Sequence, residues 1–234
     1  MSKVALLAAL LALPLEAGAQ RFRGEVGAEV SPVRRLELSV AERLLLGEGI
    51  TATGRWQTVV AAHYTPWKFL SVGAGYRFTA QAAYGRTATS HRALVEAIGS
   101  ARWRGFKLSY RLRGQSGFEE QVDGDLDVNP VLRNRVALRW RSPTAIDVGA
   151  SGELFSDIGG DTTVALDRFR VEVGVAARLR PLVVSVAYRY QTPLYGESHA
   201  WHTGLLSVMW EWSAPRVRRG RDVQPAHTAE ESLR

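Results

Sequence analysis

Leu132-Arg133-Asn134-Arg135-Val136-Ala137-Leu138-Arg139-Trp140-Arg141 decides the fold of this 234-residue chain. Leu132, Val136, Leu138 and Trp140 fall at even positions, and Arg133, Arg135, Arg139 and Arg141 at odd ones. A period of two places these sets on opposite faces of a β-strand; on a helix both would scatter around the axis. One face of this strand is apolar and the other carries four guanidinium groups.

The same alternation recurs on both sides of this stretch. Leu36, Leu38, Val40 and Leu44 oppose Glu37, Ser39 and Arg43; Leu70, Val72, Ala74, Tyr76 and Phe78 oppose Ser71 and Arg77. Phe106, Leu108, Tyr110 and Leu112 oppose Lys107, Arg111 and Arg113; Phe169, Val171, Val173 and Val175 oppose Arg170 and Glu172; Leu182 to Tyr190 oppose Arg189. Counting Gly24–Val30, the His91–Ala101 segment with its mixed faces, and the last apolar face from Gly204 to Trp212, about eleven segments have the length of a tilted membrane strand. Ser31-Pro32, Thr65-Pro66, Arg104-Gly105, Ser142-Pro143 and Arg180-Pro181 read as tight turns, where proline presets the backbone. Longer polar links are expected at 47–54, 80–90, 114–130, 156–163 and 192–200. Short turns on one rim and long links on the other define an all-β, antiparallel up-and-down transmembrane barrel of about 10–12 strands.

A soluble barrel would show the same period with its apolar face inward. The aromatic residues favour a membrane. Tyr64, Tyr76, Phe78, Trp140, Tyr188, Tyr190, Trp210 and Trp212 lie on apolar faces near strand ends, where membrane interfaces select amphipathic rings. The apolar face therefore meets lipid and the arginines point inward. Slipping Leu132–Arg141 by one residue would turn its four arginines outward, at about 2–4 kcal/mol each near the midplane and less at the interfaces.

The N-terminus supports export. Lys3 precedes the apolar run Val4–Leu13, Pro14 ends it, and Ala17-Gly18-Ala19 supplies small residues for cleavage before Gln20. That run is too short for a spanning helix. The expected organisation is a signal peptide over 1–19, an outer-membrane barrel over 20–212 and a polar tail over 213–234. The chain has no cysteine, so disulfides and thiolate metal sites are excluded. Its net charge of +7 does not imply nucleic acid, because most arginines lie singly within apolar segments.

Several short stretches, in order, carry a family likeness: Glu25-Val26-Gly27-Ala28-Glu29-Val30, Gly73-Ala74-Gly75-Tyr76-Arg77, His91-Arg92, Ser109-Tyr110-Arg111-Leu112-Arg113, Leu132-Arg133-Asn134-Arg135, Glu153-Leu154-Phe155 and Tyr188-Arg189-Tyr190-Gln191. Together they resemble the bacterial family called domain of unknown function 2490. The resemblance implies an outer-membrane barrel and supplies no activity. Glu42, on an otherwise apolar face, points to a bulge or a position near the rim. An odd strand count implies either that Gly24–Val30 lies outside a ten-strand barrel or that a twelfth strand hides in a link such as 114–130.

No catalytic, cofactor or metal constellation is expected. Ser90 and His91 are adjacent on a strand, so they face opposite ways and form no nucleophile–base pair. His199 and His202 alone make a poor metal site, and there is no Gly-x-Ser-x-Gly elbow. The functional candidates are the lumen-facing charges Arg111, Arg133, Arg135, Arg139, Arg170, Arg189, Glu153 and Glu172. Rings of arginine favour anions, which points to a narrow anion-preferring pore. The alternatives are a non-conducting structural or docking barrel and, behind both, a lipid-active enzyme. The expected partners are outer-membrane lipid and the barrel-assembly machinery, with the basic run Arg216, Arg218, Arg219 and Arg221 as a solvated tail or an anion-facing patch.

Overall fold

A computed structural model describes residues 21–47, 54–83, 86–120, 126–158, 164–179, 181–195 and 200–213. Residues 1–19, expected to be a signal peptide, His199, His227 and the expected tail beyond Ser213 with its basic run lie outside the described residues. Eleven strands follow one another: β1 Arg21–Val33, β2 Leu36–Leu46, β3 Gly54–Trp67, β4 Leu70–Ala83, β5 Arg86–Trp103, β6 Phe106–Glu120, β7 Leu126–Arg141, β8 Ile146–Ile158, β9 Val164–Leu179, β10 Leu182–Pro193 and β11 Trp201–Ser213.

Each strand pairs antiparallel with its sequence neighbours, and β1 closes the barrel by pairing parallel with β11. The odd count is thus real. Gly24–Val30 belongs to the wall, and the described residues of 114–130 belong to β6 and β7. After ten reversals β11 runs in the direction of β1, so closure must be parallel. The seam pairs continuously from Arg21↔Thr203 to Ser31↔Ser213. Parallel bonds are slightly weaker per residue, yet they leave no open edge, which lipid does not tolerate.

The link at 80–90 is mostly strand, because β4 runs to Ala83 and β5 starts at Arg86. The one at 114–130 shrinks likewise, with β6 reaching Glu120 and β7 starting at Leu126. There the ladder outlives the alternation: once a hairpin rises beyond lipid, both faces meet water and apolar–polar contrast fades, while backbone groups still need partners. Two proline signals also shift. Pro32 and Pro66 lie within β1 and β3, where the register slips between Val30 and Val33 and between Tyr64 and Trp67, and the chain reverses just beyond them. A bulge tolerates a residue without a donor. Arg104-Gly105 is a two-residue hairpin with positive φ at both positions, 43° and 87°, matching the right-handed twist of β5 and β6.

Burial is inverted relative to a water-soluble domain. Among the described residues, ten polar or charged side chains are buried against seven apolar ones, whereas Val95 is 64% exposed and Leu138 48%. Val136, Leu108, Leu112 and Val173 are exposed beside them. A continuous apolar outer surface needs a nonaqueous partner, and around a closed barrel that partner is lipid. Trp67, Trp103, Phe106, Trp140 and Trp212 ring the short-turn rim on this surface. Toward the other rim, Tyr76 bonds His91 beside Phe78, and Tyr188 bonds His202 beside Tyr190. The two clusters are equivalent in place, since each bonded tyrosine is the seventh residue of its strand. Glu42 needs no bulge: it stays in register between Val26 and Thr58 and accepts a 3.0 Å hydrogen bond from Thr58 Oγ1.

Candidate functional site

The interior is built from a ladder of like charges. On β6 and β7, Arg111 sits directly opposite Arg135, Arg113 opposite Arg133 and Lys107 opposite Arg139. Like charges across a strand pair repel, so the ladder needs carboxylates from elsewhere. The flanking strands supply them.

Glu153, on β8, is 3% exposed and receives three arginines: Arg133 through Nη2 at 2.8 Å and Nε at 3.1 Å, Arg111 through Nη2 at 2.7 Å, and Arg170 through Nη1 at 3.2 Å. Its neighbour on the same face, Phe155, lies under the guanidinium carbons of Arg133 at 4.4 Å and Arg170 at 4.5 Å. Glu96, on β5, meets Arg113 at 2.5 Å and His63 Nε2 at 2.5 Å. Glu172 meets Arg189 at 2.5 Å and Arg135 at 3.4 Å, and Glu25 joins Arg43 at 2.8 Å and Arg23 at 3.2 Å. Each of these four carboxylates meets at least two basic side chains. His63 fits beside Glu96 because the strand it crosses carries Gly73; a Cβ there would collide with the imidazole and with the Ala62 carbonyl.

The lumen divides into two chambers. The larger, about 1250 Å³, lies toward the long-link rim and is lined, among the described residues, by thirteen arginines and by three carboxylates, Glu153, Asp157 and Glu172. The smaller, about 430 Å³, lies toward the short turns, with Leu94 and Ile98 beside Glu96, Lys68 and Lys107. Arg43, Arg77, Arg111 and Arg113 border both. A solute crossing the barrel would pass between these four.

Arg111, Arg133, Arg135, Arg170, Arg189, Glu153 and Glu172 line the larger chamber together. Arg139 does not: it is exposed near the short-turn rim, opposite Lys107 and outside both chambers. Sequence reading missed Glu96, because Leu94 and Ile98 share its inward face and blur the alternation of β5. It also missed Phe155, which shares the inward parity of Glu153, and did not single out Arg43 and Arg77 although their period placed them on the polar face. Of the described histidines, His63 faces the lumen, whereas His91 and His202 face outward. No group of three or more His, Asp or Glu residues suited to a metal ion occurs among the described residues.

A closed β-wall that is apolar outside and ionic inside defines an outer-membrane β-barrel. Residues 25–198 match the model of a family described as a protein of unknown function, DUF2490. The chain belongs to that family. Among curated proteins none matches it. Similar solved structures include LpxR from Salmonella typhimurium, at 11% identity and TM-score 0.49, with 75% of this chain and 83% of that one covered. Another is the NanC porin, at 12% identity and TM-score 0.46, with 73% and 84% covered. At such distances these likenesses say nothing of activity.

Proposed function

We propose that the chain is exported by its N-terminal segment, assembles into the outer membrane through the barrel-assembly machinery, and serves there as a narrow pore that prefers anions. The observation that carries this reading is the larger chamber, with thirteen arginines against three carboxylates among the described residues around about 1250 Å³. Cations fixed on a low-dielectric wall raise the local concentration of anions and disfavour entry of other cations. Water in the chamber offsets part of the desolvation cost of so many charges.

The test is the reversal potential of the refolded barrel in a planar bilayer under a salt gradient. Wild type should prefer chloride over potassium, and the variant Arg111→Glu with Arg135→Glu should lose or invert that preference. Selectivity should weaken from 0.1 M to 1 M salt, as the screening length falls from about 10 Å to about 3 Å. Cation preference in wild type would end the anion reading. Absence of current would leave a sealed barrel, and with it a structural or docking role.

A further inference from the structure

Among the arginines lining the larger chamber, Arg77 alone makes no hydrogen bond, ion pair or ring contact with a described residue, and its Nε–H is buried without an acceptor. The charges that bear on it most strongly are Arg92, Arg43, Arg133 and Arg113, all of its own sign. Arg92 stands directly across from it on β5, and three carboxylates of the described wall are engaged elsewhere: Glu25 by Arg43, Glu96 by Arg113 and His63, Glu153 by three arginines. Arg77 also borders both chambers, on the path of any solute that would cross the barrel.

We propose that Arg77 anchors a binding site for a phosphate-type oxyanion at the junction of the two chambers. A guanidinium held among others without a counter-charge is costly to bury, and an anion from solution supplies what the wall lacks. The planar fork of arginine matches an oxyanion with two acceptor oxygens on one side, and a phosphate has a further oxygen to offer the neighbouring guanidinium groups. Chloride, a single sphere without such geometry, would be held less selectively. The larger chamber has room beside the site for the organic body of a small phosphorylated solute. On the pore reading, on which this inference builds, the site is where a permeating phosphate pauses.

The experiment is calorimetric titration of inorganic phosphate into the refolded full-length barrel in detergent, at constant ionic strength set with chloride. Folding of each variant is verified by gel mobility with and without heating. Wild type should bind phosphate saturably, and Arg139→Gln, outside both chambers, should bind equally well. Arg77→Gln should bind about tenfold more weakly or worse, as expected for losing a charge-assisted hydrogen bond, and Arg77→Lys should fall between. Without phosphate, Arg77→Gln should melt no lower than wild type, because it removes an uncompensated charge. The proposal is overturned if wild type shows no saturable phosphate binding, if Arg77→Gln binds as wild type does, or if Arg77→Gln melts lower in the absence of phosphate. The readout is equilibrium binding, so a barrel that binds phosphate but carries no current refutes the pore and keeps the site. One that conducts anions without saturable phosphate binding does the reverse.

Discussion

Two regions of the same lumen handle arginine in opposite ways. Around Glu153, three arginines converge on one buried carboxylate, and two of them stack on Phe155. Around Arg77, on the other side of the β6–β7 ladder, arginines face one another and the guanidinium has no hydrogen-bond or ion-pair partner among the described residues. The first arrangement ties β6, β7, β8 and β9 together through one shared carboxylate. The second leaves charge available to a solute. Arginine in a barrel wall is therefore structural or ligand-facing according to whether a neighbouring strand brings a carboxylate within reach, and the residue type alone does not say which.

Breaking the Glu153 cluster should have the largest effect. Glu153→Gln strips the shared counter-charge from Arg111, Arg133 and Arg170 and should cost about 3 kcal/mol, the low end for breaking a buried ion pair on one side because the site faces the lumen. The measurement is the urea midpoint of the refolded barrel. A shift no greater than that of an exposed control such as Arg139→Gln would mean the cluster contributes no more than a solvated surface pair.

Next in size is a test of the wall that both regions share. Leu138→Arg places a charge against lipid two residues from Trp140, between midplane and interface, and should cost about 1–2 kcal/mol and lower assembly, whereas Arg139→Leu on the inward face should be tolerated. Recovery of heat-modifiable barrel from outer-membrane fractions reads the difference. Equal recovery, or the reverse order, would refute the assigned faces of β7.

The smallest effect sharpens the comparison. Phe155→Leu keeps an apolar residue under Arg133 and Arg170 but removes the ring, and should cost about 1 kcal/mol through the lost cation–π contacts. Anion selectivity should be retained, since no charge changes. A change of selectivity without loss of stability would place Phe155 among the groups that touch the permeating ion.

How much of this was legible in the sequence follows from the range of each interaction. Alternation is a relation between residues i and i+2, so the faces of Leu132–Arg141, and with them the inward arginines, could be read from one strand without knowing its neighbours. Where that contrast was blurred, as in β5 with Leu94, Glu96 and Ile98 on one face, Glu96 escaped notice. Where water bathes both faces, as at the tips of β4–β7, strands were mistaken for links.

The sequence by itself determined that the chain makes amphipathic strands, that lipid takes the apolar side, and that the interior carries a basic excess, because each follows from local periodicity and the cost of a charge in hydrocarbon. Only the tertiary structure decided that eleven strands close through a parallel β1–β11 seam, that Glu153 reaches Arg111 forty-two residues away, and that the Arg77 Nε–H has no acceptor among the described residues. Those outcomes depend on register accumulated around the whole barrel, and register is a relation between strands.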